Sequence, residues 1–194
     1  MNKQHRRYKM RKRINVLFFI GLIGTVLLSQ SGVSAGNSDT KPVSGKFRTQ
    51  LDGVVKSYLH VKDALGQSSS KQAAKSAQQL KKSLAAVDSK LLAKMKQKEW
   101  QKRAALLRQN TEKIAKTPDL KTQRAAFSEL SKQIGILAKD YGPLSVTLYR
   151  QYCPMAFNKK GGKWLSDSKE ILNPYLGADM PKCGQVIETI RAGK

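Results

Sequence analysis

Residues 119–143, DLKTQRAAFSELSKQIGILAKDYGP, hold the pattern on which the fold turns. Leu120, Phe127, Leu130, Ile134, Leu137 and Tyr141 recur seven, three, four, three and four residues apart, which puts all six on one stripe of an α-helix. Asp119 supplies an N-cap acceptor, and Gly142-Pro143 stops the run because proline cannot continue a helix interior. Upstream, Pro118 ends another helical stretch, expected from about Leu91 to Ala115, with a looser pattern of Leu92, Met95, Trp100, Ala104, Leu106, Leu107 and Ile114. Ala73, Ala77, Leu80, Leu84 and Val87 repeat the four-three spacing, with Ser70 as a cap and Asp88 or Ser89 as the restart after it. Phe47, Leu51, Val54, Tyr58, Val61 and Leu65 form the first stripe, closed by Gly66 to Ser70. Four helices with short connections predict a mainly α fold, an antiparallel up-down four-helix bundle over residues 46–142.

Beyond Pro143 the character changes. Residues 143–191 read as a loop-rich segment containing a small hairpin. Val146, Leu148 and Arg150 alternate with polar neighbours, suggesting a short extended piece. Asn158-Lys159-Lys160-Gly161-Gly162 signals a hairpin tip between Phe157 and Trp164. Ser166 or Asp167 is expected to cap a turn of helix before Asn173-Pro174, and Gln185 to Arg191 to form a terminal helix. Such a tail buries little by itself, so it must lean on the bundle or be tied by a cross-link or an ion.

The amino terminus reads as an address. Residues 1–13 carry seven Lys and Arg and no acid, Ile14 to Leu28 is largely apolar, and Val33-Ser34-Ala35 fits a small-x-small cleavage site. Residues 1–35 are therefore expected to be a signal peptide, residues 36–45 a polar linker, and residues 46–191 a single exported, periplasmic domain. An uncleaved membrane anchor is the alternative, although the apolar run is short for a span. Seven of the 37 Lys and Arg lie in that leader, leaving 30 against 13 acids, so the remainder still carries +17. A surplus of this size implies attraction to anionic surfaces. In an exported chain that points to an anionic envelope surface, and no nucleic acid is expected as partner. Lys90, Lys94, Lys98 and Lys102 follow one another at i+4 and are the candidate anion-binding row, with a simply solvated face as the plain alternative.

The chemistry-bearing residues cluster late. Cys153 precedes Met155 by two residues, and Cys183 follows Met180 by three. Two thiolates and two thioethers are soft donors that suit Cu(I) better than a hard cation. Lys159, Lys160, Lys163 and Lys182 flank them and would favour thiolate by lowering thiol pKa. The competing reading is a structural disulfide, the default in an exporting compartment, worth roughly 3 to 4 kcal/mol on the chain-entropy model. Met155 and Met180 would then fill gaps near Trp164 and Phe157. His60 lies off the first apolar stripe and reads as a solvated side chain, and zinc would want more nitrogen or thiolate ligands than the chain offers. Arg124 falls among apolar neighbours in the fourth helix, as a snorkelling side chain or an anchor for the tail. No nucleophile–histidine–acid set, phosphate loop or Cys-x-x-Cys pair is present, so a catalytic role is not expected.

Tyr149-Arg150-Gln151-Tyr152-Cys153-Pro154-Met155-Ala156-Phe157, Gly162-Lys163-Trp164-Leu165-Ser166, Asn173-Pro174-Tyr175, and Met180 with Cys183-Gly184 together resemble the signature of the DUF3347 domain family, as do Arg124 and Phe127 with Leu130-Ser131. The resemblance spans roughly Phe47 to Arg191. It implies periplasmic heavy-metal handling, with copper as Cu(I) the leading cargo and heavy-metal efflux components as partners. It also implies that Cys153, Met155, Met180 and Cys183 form the metal site, with Arg124, Phe127, Trp164, Asn173 and Tyr175 as its structural support. Leu176 and Pro181 depart from the family's pattern, and neither change removes a sulfur.

Overall fold

A computed structural model describes residues 43–193. The expected signal peptide and residues 36–42 of the expected linker lie outside the described residues. Four long helices dominate: α1 (Gly45–Gly66), α2 (Ser70–Ala85), α3 (Lys94–Lys116) and α4 (Leu120–Tyr141). Each packs against the next, and α4 also packs against α1. None of the described helices is long and apolar enough to cross a membrane.

The apolar stripes form the core. All six stripe residues of α1 are fully buried, and Val55, Leu59 and Ala64 widen its hidden face. Ala73, Ala77, Leu80 and Leu84 of α2 are equally buried, and Ser69 rather than Ser70 caps that helix, accepting from Gln72 N at 3.4 Å. Asp88 caps a short 3-10 turn at Ser89–Leu91, and α3 begins three residues after it. Met95 and Leu106, placed in the α3 pattern by sequence, are 60% and 44% exposed. The buried stripe is instead Trp100, Ala104, Leu107, Thr111 and Ile114, a regular four-three-four-three spacing in which a threonine holds an apolar position. In α4 the Asp119 carboxylate accepts from Thr122 N at 2.8 Å, Leu120 is half-buried, and the other five stripe residues are fully buried.

Two aromatic clusters divide this core. Phe47, Trp100 and Tyr141 meet with ring centroids 5.3 to 6.1 Å apart, joining α1, α3 and α4. Tyr58 stacks on Phe127 at 5.2 Å, and Phe127 in turn meets Tyr175 of the C-terminal segment at 5.9 Å.

The C-terminal segment is a small antiparallel sheet of β1 (Leu148–Cys153), β2 (Gly162–Ser166) and β3 (Gln185–Ile190), in the order β2-β1-β3. The expected hairpin is present as β1 and β2, with Cys153 opposite Gly162. Its turn starts earlier than the sequence suggested, and Phe157, Asn158, Lys159 and Gly161 all take positive φ. The terminal helix expected at Gln185 to Arg191 is strand β3. Val186, Ile187, Thr189 and Ile190 are β-branched, and pairing there satisfies the second edge of β1, a partner that only the fold supplies. No helical turn forms between Ser166 and Asn173. The buried Gln151 donates from Nε2 to the carbonyls of Ser168 and Glu170 at 2.8 and 3.1 Å, fixing that stretch as a loop. β2 packs on α4, and the buried Tyr58 hydroxyl ties the layers by accepting from Leu165 N at 3.0 Å while bonding Ser131 Oγ at 2.9 Å.

Candidate functional site

The last residue of β1 and the approach to β3 bring the two cysteines together. Tyr152 pairs with Gln185, so Cys153 ends its strand beside the turn that carries Cys183. The two Sγ atoms are 2.7 Å apart, with Cys153 fully buried and Cys183 half-buried. A hydrogen bond from Cys183 N to Met180 O, 3.1 Å, closes the turn.

Asn173 builds the loop behind it. Its fully buried amide donates from Nδ2 to Cys183 O at 2.6 Å, and its Oδ1 accepts from Tyr175 N at 2.8 Å and Leu176 N at 3.0 Å. Its backbone N–H reaches Pro181 O at 2.8 Å. One side chain thus satisfies three backbone groups and fixes both ends of residues 173–183. The neighbouring Tyr175 ring meets Phe157, Trp164 and Phe127 at 4.9, 5.7 and 5.9 Å, and its hydroxyl donates to the Lys163 carbonyl. Trp164 lies against Gly184, whose φ of 145° disfavours any side chain and where a Cβ would stand 3.0 Å from the Trp164 ring. Phe127, Trp164, Asn173 and Tyr175 therefore form one buried unit under the cysteines.

Arg124 sits at the other end of this loop. Its Nη2 donates to Ser68 Oγ at 3.0 Å, and the same hydroxyl accepts from Ala178 N at 3.0 Å. The guanidinium reaches the tail through Ser68, a residue with φ of 55° at the end of α1. Burial lowers its pKa, while the Asp179 carboxylate acts in the opposite direction.

What the sulfurs can do follows from their spacing. A disulfide needs about 2.05 Å, and two thiolates sharing one ion at about 2.3 Å each lie about 3.8 Å apart in tetrahedral geometry. The observed contact lies between the two and nearer the first. The Cys183 thiol has a raised pKa, first through its hydrogen bond with Cys153, then through burial and the charge of Cys153, with the Met155 N–H opposing. This direction is opposite to the lowering expected from nearby lysines, and no lysine is among its causes.

Met155 and Met180 are 41% and 45% exposed, so neither thioether is spent filling the core under Trp164 and Phe157. Among the described residues, no three His, Cys, Asp or Glu side chains converge to hold a metal ion. A soft ion here would rest on two thiolates and thioether sulfur. His60 is exposed beside Asp63, Gln72 and Ser76 between α1 and α2, apart from the cysteines. Lys94, Lys98 and Lys102 are exposed along α3, but Lys90 belongs to the preceding 3-10 turn, so the four do not share one helix.

Two supporting residues escaped the sequence reading. Gln123 is fully buried, and its Nε2 donates to the carbonyls of Ser70, Ile114 and Thr117 at 3.0, 3.1 and 2.8 Å, joining α2, α3 and α4. Gln151 plays the same part for the tail. The available signal was position: Gln123 lies four residues before Phe127 on the α4 stripe, and Gln151 alternates with Cys153.

The profile of a family described as "Protein of unknown function (DUF3347)" matches residues 54–145. No curated protein and no solved structure matches the chain. The matched span runs from within α1 to just beyond α4 and ends before β1, so both cysteines lie outside it.

Proposed function

Since residues 54–145 match the DUF3347 family model, we propose that the chain is an exported, periplasmic binding protein that handles a soft heavy metal. Cu(I) is the first choice, held at Cys153 and Cys183 with Met155 or Met180 for sequestration or delivery to heavy-metal efflux components. The observation that carries this reading is the 2.7 Å approach of two sulfurs 30 residues apart, each within three residues of an exposed methionine. Thiolate and thioether sulfur select a soft monovalent ion over Zn²⁺, which is served best by four thiolate or imidazole ligands. Widening the sulfur separation by about 1 Å admits the ion, and the Cys183 turn is the half-exposed side that can give. The short helix connections and sequential packing support the antiparallel up-down arrangement of the bundle.

The test is anaerobic Cu(I) titration of the reduced protein against a chromophoric Cu(I) chelator, after counting free thiols in protein isolated without reductant. One Cu(I) per chain is expected. Cys153→Ser and Cys183→Ser each lose most of the affinity, and His60→Ala changes little. Equal affinity in the double cysteine variant refutes the reading.

The sulfur contact itself favours a second reading, a disulfide-locked module that docks by its basic surface on an anionic envelope component or protein partner. A fully oxidised, reduction-resistant pair supports it. Binding should then weaken with salt and on changing Lys94, Lys98 and Lys102 to Gln.

A further inference from the structure

We propose that the groove between α4 and the sheet is a binding site for a linear anionic amphiphile, an alkyl body ending in a carboxylate or phosphate. A cavity of about 850 Å³ opens between α4 and the β1–β2 hairpin, with Ala125, Tyr152, Phe157 and Ile187 among its apolar lining. A second, of about 560 Å³, continues along α4 past Gly135 and Ile136 and shares Lys132, Lys163 and Ile187 with the first. The first alone falls within the range of small-molecule sites, and the pair together is elongated, which fits a chain better than a compact ring system.

Three features shape this groove. Arg150 pairs with Glu188 and Gln151 with Val186, which leaves Ile187 as the extra residue of a β-bulge. Regular pairing would turn Ile187 and Glu188 to opposite faces, yet both line the second cavity, and Ile187 remains 44% exposed there. The absence of side chains at Gly161 and Gly162 keeps the hairpin wall low, because a Cβ would come within 2.5 Å of the Tyr152 hydroxyl or 2.6 Å of the Tyr175 ring. Gly135 lets the Arg150 guanidinium lie flat on α4, where an added Cβ would stand 2.8 Å from Nη1.

Charge then selects the ligand. Lys132 is paired with Glu129 at 2.7 Å, and Arg150 with Glu188, so both acids of the groove are already engaged. Lys139, Lys160 and Lys163 form no salt bridge among the described residues, although Lys139 is near enough to Glu188 to help lower its pKa, and Lys163 Nζ stands 6.0 Å from the Tyr152 ring centroid. Cations therefore border the apolar floor of the first cavity and make up much of the lining of the second. An acidic head finds a lysine while its alkyl body covers Tyr152, Phe157 and Ile187. Cys153, Met155, Met180 and Cys183 are absent from both linings, so the site stands apart from the metal reading.

The probe is 11-(dansylamino)undecanoate, titrated by fluorescence into the full chain. Saturable one-to-one binding with blue-shifted emission is expected, displaced by dodecanoate and not by the same concentration of dodecanol. Ile187→Glu, at an exposed position, should weaken binding at least tenfold. The triple variant Lys139→Gln, Lys160→Gln, Lys163→Gln should do the same and flatten the salt dependence, with melting curves confirming that each variant is folded. The proposal is overturned by non-saturable binding, by equal displacement with dodecanol, or by affinity within twofold of the parent in the triple variant. Competition by phosphatidylglycerol vesicles without competition by dodecanoate would assign the groove to a membrane surface and overturn it as well.

Discussion

Asn173→Ala should destabilise the protein more than any other single polar deletion near the cysteines. Its side chain makes three hydrogen bonds to backbone groups, Cys183 O, Tyr175 N and Leu176 N, with the Tyr175 N–H buried. Each such bond contributes about 1 kcal/mol net, and a buried group left unpaired costs about 1–3 kcal/mol. The expected loss is therefore about 3–5 kcal/mol, a large share of the roughly 5–15 kcal/mol that holds a domain of this size. Urea unfolding followed by the fluorescence of Trp100 and Trp164, compared at equal m-value, measures it. Asn173→Asp keeps both acceptor contacts but turns a buried carboxylate oxygen toward Cys183 O, so it should lose at least as much as the Ala variant. In the reduced protein the Ala variant should also alkylate faster at Cys183, because the turn carrying that thiol is released. A loss under about 1 kcal/mol for Asn173→Ala, with unchanged alkylation, would refute the view that this amide holds the loop.

Burial raises the pKa of Tyr58, Tyr141 and Tyr175, that of Tyr141 to about 12 with Glu99 and Asp140 adding to the effect. An unfolded tyrosine titrates near 10, so the folded state prefers the neutral form. This stability is fully present below about pH 10 and falls as pH rises further, by up to about 1.4 kcal/mol per pH unit per tyrosine. Absorbance at 295 nm should show ionisation delayed until unfolding, and Tyr141→Phe should make the alkaline decline shallower; simple titration near pH 10 with no loss of structure would contradict it. Gly66→Ala places a Cβ 2.5 Å from Leu172 Cγ and should cost about 1–3 kcal/mol by overpacking. Leu172→Ala should relieve that clash, so a double-mutant cycle with no coupling would show that α1 and the tail do not meet there. Gln123→Ala strips three carbonyls of their donor and should cost about 2–4 kcal/mol in thermal unfolding; a melting point unchanged within a degree would refute its role as a clamp.

The helices were legible because burial in a helix follows a local period. Phe47 to Leu65, Ala73 to Leu84, and Phe127 to Tyr141 display their hidden faces as four-three spacings, and Asp119 and Pro118 mark a start and a stop that need no distant partner. The cysteine and methionine cluster was visible as composition, whereas Asn173-Pro174-Tyr175 stood out through the resemblance to the DUF3347 signature. The sequence alone could not decide what depends on residues far apart in the chain. β3 was read as a helix because its strand identity rests on the free edge of β1, about 35 residues earlier. Thr111 and Gln123 look like surface residues until neighbouring helices enclose them. The 2.7 Å meeting of Cys153 and Cys183, the bulge that turns Ile187 toward α4, and the groove between α4 and the hairpin exist only once the sheet is docked on the bundle. Local periodicity and capping settle which segments are helices, whereas strand pairing, buried polar clamps and site geometry are long-range contacts whose partners only the packed chain selects.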